Sequence, residues 1–139
     1  MFPNTDSSDH HEVPLLGLVN AGRDCVLFAE AQGPFDMVEA PQEATSNTVA
    51  VEVRGTSLGP IFDGWIIFYD NLRRHVSRDL LGKLCVVGDT QGHVMVKRLA
   101  KGQLPDRFNL LSNTEPPIYD AQLEWAAPVL AMRPKGRLE

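Results

Sequence analysis

Two residues of this chain have the type and setting of a nucleophile and its base. Ser57 lies in Gly55-Thr-Ser-Leu-Gly-Pro60, where glycine and proline break the runs on either side and lift one hydroxyl onto a sharp turn. Lys97 lies in His93-Val-Met-Val-Lys-Arg-Leu99. Strand alternation puts Met95, Lys97 and Leu99 on one face of that run and Val94, Val96 and Arg98 on the other. An amine between two apolar neighbours is poorly solvated, and desolvation disfavours the ammonium form. Such a lysine can lose its proton near neutral pH and then take the proton of a serine hydroxyl, which is the chemistry of nucleophilic acyl transfer. Each residue also has an ordinary alternative. Serines in turns satisfy backbone groups or cap short helices, and lysines in strands extend along apolar surface to reach water.

The elements around these residues read as strands. Val49, Val51 and Val53 alternate with Ala50, Glu52 and Arg54, the period of a half-buried strand. Trp65-Ile-Ile-Phe-Tyr69 is β-branched and aromatic without alternation, which suits a strand covered on both faces. Upstream, Val13 to Val19 is a short apolar strand, Asn20-Ala-Gly-Arg-Asp24 is a turn, and Cys25-Val-Leu-Phe28 returns as a hairpin partner. A short strand is expected at Phe35 to Val38 and one helical turn at Asp79-Leu-Leu-Gly82. Leu84 to Val87 should pair with His93 to Leu99 across the loop Gly88-Asp-Thr-Gln-Gly92. Arg107 to Ser112 is the next strand and Asn113 to Pro117 a turn. Leu123 to Arg133 completes the sheet, with Pro128 implying an edge position or a bulge. Many short strands joined by glycine- and proline-rich turns point to a mostly β, partly open barrel with long loops.

Taken together, Val53-Arg-Gly-Thr-Ser-Leu-Gly-Pro-Ile-Phe-Asp-Gly64 and Val94-Met-Val-Lys-Arg-Leu99 resemble the serine-lysine self-cleaving domain of LexA and phage repressors, the S24 peptidases. Val13-Pro-Leu-Leu-Gly-Leu-Val-Asn-Ala-Gly22 resembles the cleavage-site segment of the same family, whose scissile bond commonly joins Ala to Gly. The likeness runs from about Val13 to Arg133, with the three motifs in the family's order. Three positions depart from it. The usual Gly-Asp-Ser-Met is Gly55-Thr56-Ser57-Leu58 here, and the usual Asp-Gly-Asp is Asp63-Gly64-Trp65. Leu for Met conserves volume.

The resemblance implies the LexA- and signal-peptidase-like form of that barrel. Residues 1–12 would be a disordered lead-in or interdomain linker, and residues 13–139 a self-cleavage and dimerisation domain with the cleavage-site hairpin at 13–28. It further implies that Lys97 takes the Ser57 proton, Ser57 Oγ attacks the Ala21 carbonyl and Lys97 protonates the leaving nitrogen of Gly22. Backbone N–H groups around Thr56 and Ser57 would hold the oxyanion. A homodimer, induction by the RecA filament as co-protease, and DNA contact only through a separate N-terminal domain absent from this chain belong to the same expectation. Two other functions fit the sequence: a dimerisation or effector-binding module of a repressor that has kept the fold without the activity, and an accessory subunit of an error-prone DNA polymerase.

Composition sets the outer bounds. The 139 residues suffice for one domain with a substantial core, and 43% hydrophobic and 22% charged residues are ordinary for a globular protein. No apolar run approaches the length of a membrane span, and the polar, acidic opening lacks a signal peptide's pattern, so the expectation is a cytoplasmic protein without a membrane partner, and the resemblance implies a bacterial one. Net charge is −5: residues 1–50 hold one basic side chain against eight acidic ones, while residues 51–139 hold twelve basic and ten acidic. The densest basic cluster, Arg73-Arg74-His75 with Arg78, reads as a solvated loop, and neither a basic face nor a helix-turn-helix pattern emerges. Cys25 and Cys85 sit in apolar runs far apart in sequence, as buried free thiols in a reducing compartment would. His10-His11-Glu12 offers no metal site, because adjacent histidines point apart and no other ligand cluster accompanies them; neither metal nor cofactor is expected.

Overall fold

The computed structural model describes residues 12–20, 25–27, 36–54, 60–72, 76–112 and 116–134. Ten strands occur among them: β1 (Glu12–Asn20), β2 (Cys25–Leu27), β3 (Asp36–Glu39), β4 (Thr48–Arg54), β5 (Ile66–Asp70), β6 (Leu84–Asp89), β7 (Val94–Lys101), β8 (Phe108–Leu111), β9 (Ile118–Ala121) and β10 (Leu123–Arg133). Short 3-10 turns at Pro60–Phe62 and Arg78–Leu80 are the helical elements among the described residues. None is long and apolar enough to cross a membrane. The fold is therefore mostly β, as the strand-and-turn pattern predicts.

The strands form one mixed sheet in the order β2-β1-β4-β5-β10-β6-β7-β8-β9, with β3 pairing the first half of β1, and the sheet does not close. Every described pairing is antiparallel except β1 with β4. β10 joins the two halves: Leu123 to Pro128 pair with β6, and Val129 to Arg133 pair with β5.

Alternation sorts the side chains into three apolar layers. Val49, Val51, Val53, Ile67 and Tyr69 from one half meet Val86, Val94, Val96, Trp125 and Ala127 from the other in a central core that also takes Val19. Ala50, Ile66 and Phe68 turn the other way and are covered by Val13 and Leu15, while Cys85, Val87, Met95, Leu99, Leu110 and Ala126 form the third layer with Leu80. Burial of these aliphatic and aromatic groups is the main force holding the sheet bent over itself. Trp125 stacks on Tyr69 with ring centroids 6.1 Å apart, and Arg133 lies 4.8 Å over the Phe68 ring while donating a hydrogen bond to the Glu39 carbonyl.

Two expectations, on β4 and on the β6–β7 loop, are corrected, one on Pro128 is narrowed, and one strand was missed. β4 is buried on both faces rather than one, because the Val13 and Leu15 layer covers its second face, and Glu52 is only 3% exposed. Of the two positions that Pro128 implies, an edge or a bulge, the edge is excluded and the bulge fits. Pro128 lies inside an interior strand where β10 passes from β6 to β5, with register shifts at Leu123/Trp125 and Val129/Ala131 on either side. Gly88 and Asp89 belong to β6, so the hairpin connection is shorter than the expected five-residue loop. β9, which pairs with β8, was hidden in a stretch that reads as connection.

Gly88 shows how tightly the β6–β10 junction is packed: a Cβ built there would lie 2.0 Å from Trp125 Nε1. Gly88→Ala should therefore force the indole out of its stack on Tyr69 and lower stability by about 1–3 kcal/mol. Thermal or urea unfolding measures the loss, and a melting temperature equal to that of the parent would contradict the packing.

Candidate functional site

The parallel pairing of β1 with β4 sets where the candidate residues emerge. Val19 pairs with Val53 and Asn20 with Arg54, so the two strands end side by side, about 4.8 Å apart and pointing the same way. In sequence, Ala21-Gly22 follows Asn20 directly and Ser57 comes three residues after Arg54. Ala21, Gly22, Thr56 and Ser57 themselves lie outside the described residues.

The flanks of the serine-bearing stretch are firmly held. The Val53 N–H donates to the Trp65 carbonyl at 2.8 Å and the Gly64 N–H donates to the Val53 carbonyl at 2.7 Å, so the chain regains the sheet opposite the point where β4 ends. Phe62 packs edge-on against Trp65, with centroids 4.8 Å apart and planes at 78°. At the strand's exit the buried Glu52 carboxylate accepts a hydrogen bond from Arg54 Nε at 2.8 Å, which explains how a carboxylate is tolerated in that layer.

Lys97 is 1% exposed, which excludes the ordinary alternative of a lysine reaching solvent. Its face of β7 carries Met95 and Leu99, both buried, as alternation predicts. Across the β6–β7 ladder its neighbour is Cys85, and on the β8 side its Nζ donates to Ser112 Oγ at 2.8 Å. A lysine in this setting has lost the water that would favour its charge. β7 is also the strand of the far half that β1 and β2 approach, and Val19 shares the central core with Val94 and Val96. The hairpin flanking Ala21-Gly22 thus sits against the strand that carries Lys97.

Sequence reasoning missed two polar residues. Ser112 is invisible until the register Arg98↔Leu111 is known, which makes Ser112 the cross-strand neighbour of Lys97. Glu52 reads as the solvent face of a half-buried strand, and nothing local signals the layer that covers it. Cys85 is a buried free thiol, as expected, and burial pushes its ionisation up to about 11, with Lys83 opposing weakly. The thiol donates to the Lys83 carbonyl at 3.6 Å. The side chain of Cys25 lies outside the description, as do His10, His11 and the Arg73-Arg74-His75 cluster.

A separate cavity of about 400 Å³ opens at the end of the β6–β7 hairpin, lined by Asp89, His93, Met95, Leu110 and Ile118 among others. Asp89 closes the turn there: its Oδ1 accepts the N–H groups of Gln91 and His93, both at 2.8 Å, and its Oδ2 lies 2.9 Å from His93 Nδ1. Partial burial acts to raise the Asp89 ionisation, but these hydrogen bonds outweigh it and hold the carboxyl below its usual value.

No protein-family model matches the chain, and no curated protein sequence matches it either.

Two measurements follow from these environments. Because the Asp89 carboxyl is depressed in the folded state, its stabilising effect is fully present above the unfolded value near pH 4 and is lost as pH falls below it. Asp89→Asn should be less stable than the parent at neutral pH, and the gap should narrow below about pH 4 in pH-dependent melting; a gap constant with pH would contradict the assignment. Cys85 should react slowly with thiol reagents at mildly alkaline pH and quickly once denaturant is added, as mapped by mass spectrometry. Rapid native labelling at Cys85 would refute its burial.

Proposed function

We propose that this chain is a serine-lysine peptidase domain of the LexA and phage-repressor type that cuts its own Ala21-Gly22 bond. The observation that carries the reading is Lys97, a lysine wholly enclosed between apolar neighbours yet hydrogen-bonded to a hydroxyl. A fully buried lysine is uncommon and costly to keep, and an uncharged amine is what a serine nucleophile needs beside it. The shared exit of β1 and β4 supports the assignment of substrate, since it starts the stretches bearing Ala21-Gly22 and Ser57 from adjacent strand ends.

In this reading the neutral Lys97 amine removes the Ser57 proton as Oγ adds to the Ala21 carbonyl. The tetrahedral intermediate collapses with transfer of that proton to the Gly22 nitrogen, which leaves as an amine. Water then attacks the Ala21 ester, with Lys97 again accepting a proton, and releases the Ala21 carboxylate and the free hydroxyl. Backbone N–H groups at Thr56 and Ser57 stabilise the oxyanion. Nucleophile and substrate share one chain, so proximity supplies up to roughly 7–11 kcal/mol of the barrier when orientation is good. The finer fold is the family's partly open barrel, and the biological setting is a dimeric bacterial repressor whose cleavage is induced through the RecA filament, with DNA read by a separate domain.

Incubating the chain at alkaline pH, where more of Lys97 is uncharged, should yield two fragments whose masses place the cut between Ala21 and Gly22. Ser57→Ala should abolish cutting, and Lys97→Ala should slow it by about 10²–10⁴-fold, the usual contribution of a general base. An intact mass at every pH, with and without RecA filaments, would reject the reading. A stable dimer under those conditions would favour a non-cleaving dimerisation module instead.

A further inference from the structure

We propose that Ser112 is a positioning residue for the Lys97 amine: it fixes the direction of the amine's lone pair and sets the pH at which that lone pair becomes available. The inference rests on the serine-lysine reading above and adds to it a residue that none of the sequence motifs contains.

The geometry comes from the β7–β8 ladder. Arg98 pairs with Leu111 and Leu99 with Leu110, so the next position outward sets Lys97 opposite Ser112, the first residue beyond β8. Leu110 is fully buried in the layer that holds Met95 and Leu99, and Ser112 follows it on the same side of the strand, partly buried. Nζ donates to Ser112 Oγ at 2.8 Å, a good length for such a bond.

A lysine base has a positioning problem that a histidine base lacks. Its nitrogen ends a flexible four-carbon stem and rotates freely about the last bond, whereas an imidazole holds its lone pair in the ring plane. The uncharged amine has two N–H groups and one lone pair. When an oxygen anchored to a neighbouring strand accepts one N–H, rotation about Cε–Nζ stops and the lone pair keeps a fixed direction. The titratable side chain facing Lys97 from β6 is Cys85, whose ionisation burial pushes up to about 11. The Ser112 oxygen accepts from the ammonium form more strongly, because hydrogen bonds to a charged donor are the stronger ones, so it opposes the effect of burial on the proton's affinity.

Removing the hydroxyl therefore has two consequences of opposite sign. The amine loses its proton at lower pH, so the uncharged fraction near neutrality rises. The lone pair is less well aimed, so the limiting rate at high pH falls. A purely structural serine would change the melting temperature without producing this pair of effects.

The test compares the full chain with Ser112→Ala and Ser112→Thr. Self-cleavage rates across pH should show for Ser112→Ala a high-pH plateau lowered about 10–10²-fold and a limb displaced to lower pH, with Ser112→Thr restoring both. In parallel, the Lys97 side chain is titrated by NMR through its Cε and Nζ resonances in a Ser57→Ala background, which keeps the chain whole. The midpoint should fall when Ser112→Ala is added and return with Ser112→Thr. If the parent chain never cuts, the peptidase reading fails while the titration still decides whether Ser112 governs Lys97. An unmoved midpoint overturns the proposal, as does an unchanged plateau in a chain that cuts. Should Ser112→Ala not fold, Ser112→Cys keeps the volume with a weaker acceptor and is expected to give the same changes at reduced size.

Discussion

The desolvation of one amine is the constraint on which the site depends. Lys97 is enclosed at 1% exposure, and a buried unpaired ammonium would cost several kcal/mol, so the sheet must either offer it acceptors or hold it uncharged. Its surroundings supply an acceptor. Met95 and Leu99 on its own face remove water, and Ser112 supplies an oxygen that satisfies either protonation state. A carboxylate in the place of Ser112 would have fixed the ammonium and ended any use as a base. A hydroxyl is a neutral partner that imposes no such charge pairing.

The second constraint is topological. In an otherwise antiparallel sheet, β1 runs parallel to β4, and that single choice puts the ends of both strands on one side. Had β1 been antiparallel to β4, Asn20 would have faced the beginning of β4, and Ala21-Gly22 would have set out a full strand length from the serine-bearing stretch. A parallel neighbour requires a crossover, which β2 and β3 supply by returning the chain along the outer edge of β1 before β4 begins. The Val53 hydrogen bonds to Gly64 and Trp65 then fix the other flank. The fold thus holds both flanks of the serine-bearing stretch in the sheet.

Much of this was legible in the sequence where the signal is local. Alternation sets Lys97 between Met95 and Leu99 on one face but leaves open whether the amine reaches water, which its 1% exposure decides, and the apolar runs around Val51, Ile67 and Val96 give their strands without ambiguity. What stayed hidden depends on distant segments. Glu52 looks solvent-facing because alternation cannot foresee that Val13 and Leu15 will cover it, and its tolerance depends on Arg54. Ser112 acquires meaning only once the β7–β8 register is set. β9 is four residues long, follows two prolines and contains Asp120 at φ 53°, so neither length nor propensity marks it as a strand. The Ser57 and Ala21-Gly22 assignments come from motif order and lie beyond the described residues.

The surroundings of Lys97 also bear on which nucleophile it would serve. Cys85 stands across the ladder from it and is intrinsically the better nucleophile of the two side chains beside the amine. Yet burial pushes the thiol up to about 11, and its hydrogen is directed at the Lys83 carbonyl rather than at Lys97. A thiol in that state is a packing group. Ser112, the other neighbour, accepts a hydrogen bond from the amine at 2.8 Å. The sheet thus gives Lys97 one thiol held by packing and one hydroxyl held by the amine itself.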